Sequence, residues 1–219
     1  MLNRDNILSE CPLFTGIKQE EFDTMLSCLA ARVVEYKKDN YIYMSGSTMS
    51  EIGIVLSGSV IIIKEDYWGN RTIISRMSAS DMFAESFAFT AGEKLSISVV
   101  AAENAEILFI DCKNIINIET SPFGFHTILI NNMVRILAGK NVMLMQKIDH
   151  LSCRSTRDKL LSYLSAQALE QKCKAFTIPY NRQELADYLC IDRSAMSSEL
   201  GKLRDEGILT FHKNSFELL

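Results

Sequence analysis

No stretch of this 219-residue chain approaches the ~20 consecutive apolar residues that a bilayer-spanning helix needs. Its first residues, MLNRDNILSECPLF, also lack the basic start and apolar core of a secretory signal, so a cytoplasmic protein without a membrane partner is expected. Six cysteines (Cys11, Cys28, Cys112, Cys153, Cys173 and Cys190) include no CxxC pair. Nothing supplies the close-spaced thiolates of an iron–sulfur site, and reduced thiols, several of them in the core, are expected. His126, His150 and His212 are isolated from one another, so no metal site is indicated. No nucleophile–base pair stands out either, which argues against an enzyme.

A basic excess is missing as well. The net charge is −4, which at first argues against nucleic acid, but it is unevenly shared. Residues 1–151 hold 13 Lys+Arg against 18 Asp+Glu, whereas residues 152–219 hold 10 against 9. The acidic excess therefore lies in the N-terminal part. The C-terminal part need not be strongly basic if only one of its faces meets phosphate.

What is present suits two soluble domains, with 47% hydrophobic and 23% charged residues. Residues 16–31 predict a short amphipathic helix with Phe22, Met25, Leu26 and Leu29 on one face. From about 33 to 111 the pattern is one of short β-branched strands at 41–44, 52–64, 71–77, 95–102 and 105–111. A hairpin turn is expected at 68–70 and a kink at Ser57-Gly58. This is an all-β barrel or roll.

A long helix is expected from about Phe123 to His150. Along it Ile130, Val134, Leu137, Asn141, Leu144, Ile148 and Leu151 are spaced 4, 3, 4, 3, 4, 3. That alternation is a two-stranded coiled-coil seam, with Asn141 at an a position that selects a parallel dimer in register. A helix over about 156–171 then opens a second domain.

The stretch Asn181 to Leu209 carries the most information. It predicts two helices around a tight turn, with Leu185 and Leu189 buried on the first, Ile191 plugging the turn, and Met196, Leu200 and Leu203 buried on the second. Ser194, Ser197 and Ser198 fall opposite those buried residues. A second helix with a small, polar, non-acidic outer face can be laid into a DNA major groove. Residues 208–219 predict two short strands around Lys213-Asn214, a wing.

A β-roll, a long helix and a winged helix-turn-helix, in that order, resemble the Crp/Fnr family along essentially the whole chain. The resemblance is carried by GIVLSGSVIII (53–63), SASDMFAESFAF (78–89), GEKLSISVVAAENAEILFI (92–110) and RQELADYLCIDRSAMSSELGKLRDEGIL (182–209). It implies an α+β chain with a cyclic-nucleotide-binding-like jelly roll as sensor over 1–122. A dimerisation helix over 123–151 and a winged helix-turn-helix over 152–219 complete it. In nucleotide-binding members a Gly-Glu pair and, further on, an Arg-Ser pair cradle the cyclic phosphate and ribose. Here those positions hold Ala84-Glu85, followed by Ser86, and Leu95-Ser96. Losing the arginine removes a charge-assisted partner worth roughly 1.5–3 kcal/mol. Lys94 is adjacent, but in a strand it points to the opposite face. On the long helix, Val142 and Met143 align with the positions that offer hydroxyls to a purine. The expected effector pocket is therefore apolar and unsuited to cyclic AMP. No cofactor is indicated, and a small organic effector or no ligand at all remains open.

On the second motif helix the family's base-reading Glu and Arg positions are Ser194 and Ser198, with Arg193 retained and Ser197 between them. These four are the expected base readers. Arg182 and Gln183, at the start of the first motif helix, and His212 and Lys213, at the wing tip, are expected to hold the DNA backbone. The sequence thus predicts a homodimeric regulator on double-stranded DNA, and the resemblance adds RNA polymerase as a further partner. The alternative is an effector-binding module that controls a protein partner without specific DNA binding.

Overall fold

The computed structural model describes residues 4–90, 92–116 and 125–219. The helix start expected at Phe123 and the boundary expected at 122/123 lie outside them. The chain forms two compact units, Met1–Trp68 with Ile74–Lys140, and Gly69–Ile73 with Asn141–Leu219.

The first unit opens with helix α1 (Arg4–Glu10), two single 3-10 turns (Pro12–Phe14 and Gln19–Glu21) and α2 (Phe22–Cys28). The expected helix over 16–31 is thus shorter. The chain turns left-handed at Ala30 (φ 49°), although Phe22, Met25, Leu26 and Leu29 are buried as the amphipathic pattern requires. Strands follow as β1 (Arg32–Tyr36), β2 (Tyr41–Tyr43), β3 (Glu51–Ser57), β4 (Val60–Glu65), β5 (Arg71–Met77) and β6 (Met82–Phe83). After the one-turn helix α3 (Glu85–Ala88) come β7 (Ser98–Ala101), β8 (Ala105–Asp111) and α4 (Cys112–Ile116).

Two four-stranded sheets result, ordered β1-β8-β3-β6 and β2-β7-β4-β5. Successive side chains on a strand point to opposite faces. On β3 and β8 both faces are covered. Ile52, Ile54, Leu108 and Ile110 pack with Leu8, Phe14, Phe22 and Leu29 of the N-terminal helical segment. Val55, Ile107 and Phe109 pack with Val60, Ile62, Val99 and Ala101 of the other sheet. This two-sided burial is why these strands read as continuous apolar runs. The Ser57-Gly58 kink is present between β3 and β4: Gly58 has φ +74°, and a Cβ there would lie 2.2 Å from the carbonyl oxygen of Asn104. The run expected as a strand from 95 pairs only from Ser98, which faces Ile63 of β4. Leu95 instead bonds the loop at 45–47 through its own backbone, with Gly46 N–H donating to its carbonyl at 2.8 Å.

Helix α5 (Phe125–Ser152) belongs to the first unit through Lys140 and to the second from Asn141. Phe125, Leu129 and Met133 join the roll's core, and the Asn132 amide donates to the Leu13 and Thr15 carbonyls at 2.9 and 2.8 Å. The seam residues fall on a different face: Ile130 is half-buried, and Val134, Leu137, Asn141, Leu144 and Ile148 are exposed.

In the second unit α6 (Thr156–Glu170) is capped by Ser155, whose hydroxyl oxygen accepts from the Asp158 amide at 3.0 Å. Strand β9 (Ala175–Thr177), α7 (Arg182–Leu189), α8 (Arg193–Asp205), β10 (Leu209–His212) and β11 (Ser215–Leu218) follow. The three strands form one sheet, β10-β11-β9. A reciprocal capping box starts α7: Asn181 Oδ1 accepts from the Glu184 amide at 3.0 Å, and Glu184 Oε2 from the Asn181 amide at 2.9 Å. Cys190 ends the helix in the left-handed region (φ 51°), where a glycine is common. Asp192 caps α8, accepting from the Ala195 amide at 2.8 Å.

Candidate nucleic-acid interface and sensor site

Helix α8 turns Met196, Leu200 and Leu203 into the core and leaves Arg193, Ser194, Ser197 and Ser198 exposed. Two of the serine protons are engaged locally. Ser194 Oγ donates to Asp192 Oδ1, and Ser197 Oγ to the Arg193 carbonyl at 2.9 Å. Both oxygens keep acceptor capacity toward a base edge. The Ser194 hydroxyl and the Ala195 amide hold the Asp192 carboxyl below its ordinary range, so the cap is charged. Ser198 Oγ makes no hydrogen bond to the described residues, and its hydroxyl can present donor or acceptor.

The far flank of α8 is tied down by ions. Arg157 of α6 forms a fork on Glu206, at 3.0 and 2.5 Å, and reaches Glu199 at 3.3 Å, while Lys202 meets Glu199 at 3.1 Å. Glu199, at a position that is often apolar, is therefore an internal strut and does not place negative charge beside the serines. Gln183 Nε2 donates to Asp187 Oδ1 at 2.8 Å, and His212 and Lys213 are exposed at the wing.

Arg182 departs from the expected surface position. Its Nη1 and Nη2 are buried, with its guanidinium carbon 4.7 Å from the centre of the Phe211 ring and 5.0 Å from that of Phe216. Burial lowers its pKa from the ordinary value. The aromatic wing draws the planar cation under itself, so this charge is not presented to solvent for phosphate.

In the first unit Ala84 adopts a left-handed conformation (φ 71°) as the cap of α3, where the family's glycine would be expected. Glu85 is only 4% exposed, and its Oε2 lies 2.9 Å from Lys140 Nζ, which also donates to the Met82 carbonyl. Ser86 Oγ sits 3.5 Å from Glu85 Oε1. Leu95 is buried and Ser96 exposed. Lys94 is not in a strand, which removes the alternation argument for its direction. Val142 and Met143 belong to the second unit and are exposed. Lys140 was not read from the sequence as part of this site. The one signal for it is a lysine on the helix face that also carries Leu129, Met133 and Ile136.

Among the described residues no three His, Cys, Asp or Glu side chains converge as metal ligands. No helix among them is long and apolar enough to cross a membrane. Two cysteines, Cys11 and Cys112, are buried, and burial pushes both thiols up to about 12. The remaining four are exposed or half-buried, fewer in the core than the sequence suggests.

Residues 33–119 match the model of the cyclic nucleotide-binding domain, and residues 158–219 that of the Crp-like helix-turn-helix domain. No protein of curated function matches the sequence. Among solved structures, the c-di-GMP-responsive global regulator CLP of Xanthomonas campestris is 18% identical, with 90% of this chain and 98% of that one covered and a TM-score of 0.72. FixK2 of Bradyrhizobium japonicum is also 18% identical, covering 86% and 92% with a TM-score of 0.67. A CooA mutant of Carboxydothermus hydrogenoformans is 22% identical, covering 88% and 85% with a TM-score of 0.70. These likenesses support the fold, and the two domain models, in their order along the chain, support more. The chain belongs to the Crp/Fnr family of DNA-binding transcriptional regulators, which are not enzymes, and carries that family's cyclic-nucleotide-binding type of sensor domain.

Proposed function

We propose that the protein regulates transcription as a homodimer on a two-fold DNA site, and that cyclic AMP is not its effector. The observation that carries the DNA reading is the division of α8 into a buried Met196-Leu200-Leu203 face and an exposed Arg193-Ser194-Ser197-Ser198 face. The exposed residues read base edges in the major groove. Gln183, His212 and Lys213 hold phosphates on either side. Serine hydroxyls discriminate bases less than bidentate arginine does, so much of the affinity is backbone electrostatics and falls with salt.

The dimer reading rests on the exposed seam of α5, where Val134 and Ile148 are 62% and 61% exposed in the single chain. A partner helix in parallel register buries that apolar stripe and sets Asn141 against its counterpart. The effector reading rests on Glu85. Its carboxylate is engaged by Lys140, and a leucine stands where the family's cyclic-phosphate arginine would be.

Selection of duplexes from a random library, with and without cyclic AMP, tests these readings together. The expected product is an inverted repeat whose enrichment is unchanged by the nucleotide. Failure to enrich any duplex refutes DNA binding as proposed, and enrichment only with cyclic AMP refutes the effector reading.

A further inference from the structure

Arg182 is the first residue of α7, at the helix end where a cation would be expected to meet phosphate, yet its guanidinium is buried. Neither Nη1 nor Nη2 has a hydrogen-bond partner among the described residues. A guanidinium tolerates such a place better than an ammonium because it is planar, weakly hydrated and stacks on aromatic faces. The aromatic platform is built by the wing itself. Phe211 and Phe216 are directly opposed across the β10–β11 hairpin, 6.1 Å between ring centres, and Phe216 stacks on Phe176 of β9 at 6.2 Å. A second guanidinium, that of Arg204 near the end of α8, lies 5.9 Å from the Phe211 ring. Phe211 is therefore approached by one cation from each helix of the motif. The next two residues, His212 and the left-handed Lys213 (φ 53°), are exposed at the wing tip.

We propose that Arg182 is a positioning residue for DNA binding, which through Phe211 sets the angle at which the wing presents His212 and Lys213 to the phosphate backbone, and does not itself hold a phosphate. This rests on the DNA-binding reading above. Contact of the one guanidinium with both rings ties the hairpin to α7, and the same hairpin turns back into the tip immediately after Phe211. Removing the stack lets the tip tilt while the motif helices, held by their own apolar core and caps, keep their places.

The test uses the full-length protein and a duplex selected from a random library. Arg182→Met keeps an apolar stem and removes the planar cation. It is expected to shift the amide resonances of His212 and Lys213 in the DNA-free protein and to weaken duplex binding about tenfold, through misplaced wing-tip contacts to phosphate. In a background carrying His212→Ala and Lys213→Ala, the same substitution is expected to change affinity less than twofold, because its effect passes through the tip. Equal losses in both backgrounds, or wing-tip resonances that do not move, overturn the proposal. If Arg182→Met fails to fold, Phe211→Leu is measured in the same two backgrounds with the same criteria. A protein that selects no duplex fails the DNA-binding reading, and the wing-tip resonances still decide whether Arg182 positions the tip.

Discussion

Lys140 Nζ lies 2.9 Å from Glu85 Oε2, joining the long helix α5 to the one-turn helix α3 of the first unit. The pair is largely enclosed, with side-chain exposures of 23% for Lys140 and 5% for Glu85. Removing one partner of such a pair leaves a buried charge without compensation, at a cost of about 2–4 kcal/mol once the partial exposure of the lysine is allowed for. Lys140→Met should therefore lower the urea midpoint of the first unit, and adding Glu85→Gln should recover most of the loss. A double variant no more stable than Lys140→Met alone would show that the lysine acts by packing and not by neutralising Glu85.

The same pair marks the limit of what the sequence discloses. Strands β3, β4 and β8 were legible because β-branched runs end at turn residues, and the kink at Gly58 because only glycine suits its backbone. The two motif helices were legible because small, apolar and capping residues all agree on the same boundaries. Helix α1, with seven residues, and strand β9, with three, carry too few positions for periodicity to show, and burial decides them instead. The run at 95–97 looks like a strand because it is apolar, but pairing depends on where Ile63 can reach, which no local pattern reveals. Glu85 and Lys140 are 55 residues apart, and Arg182 and Phe211 meet only once the wing folds back. In each case a long-range partner redirects a charged side chain that its local position had assigned elsewhere.

For the long helix, Leu137→Glu with Leu144→Glu should produce monomers, because like charges then face each other across a seam that needs apolar contact. Sedimentation should show half the mass, and affinity for a two-fold duplex should fall with it, since one half-site supplies half the contacts. An unchanged dimer in sedimentation would exclude this face as the interface. Asn141→Leu should strengthen association while weakening its register, which chemical cross-linking at single engineered cysteines can report.

Lys147 should contribute stability that grows with pH above about 8. This lysine is 7% exposed, lies 4.0 Å from the centre of the Tyr188 ring, and donates to the Ile73 carbonyl. Ring and carbonyl favour the cation, but burial outweighs them and lowers its pKa from 10.5 to about 8. Below about pH 8 the ammonium is charged in both states and the full burial penalty applies. Above that value the unfolded chain holds more protons than the folded one, so stability increases toward the ordinary lysine range, by on the order of 1–3 kcal/mol. Urea titrations between about pH 7.5 and 10 should show the wild type gaining stability relative to Lys147→Met. That difference removes the opposite trend from the raised thiols of Cys11 and Cys112, which both proteins share. His150, whose Nδ1 lies 2.7 Å from Ser162 Oγ, is also lowered by burial. Its share of stability is present above the ordinary histidine value and lost as pH falls through it, since the unfolded chain protonates first.

The serine face of α8 makes the sharpest prediction about specificity. Ser198 is exposed, its hydroxyl is not committed within the described residues, and it lies on the face opposite Leu200 and Leu203. Ser198→Arg places a planar, five-donor group where a short hydroxyl stood, and an arginine that reaches guanine O6 and N7 adds roughly 1–3 kcal/mol of discrimination against other bases. Repeating the random-library selection should therefore enrich guanine at one position of each half-site while leaving the half-site spacing unchanged, because the proposed dimer would fix that spacing. Lys213→Ala should do the reverse: every duplex weakens by a similar factor and the salt slope drops by about one unit, as loss of a single phosphate contact requires. The two substitutions separate reading from holding in one titration series. Should Ser198→Arg leave the preferred sequence untouched while Lys213→Ala alters it, the helix enters the groove by another edge. Base reading would then have to be reassigned to the wing and to Gln183, which is exposed at the start of α7.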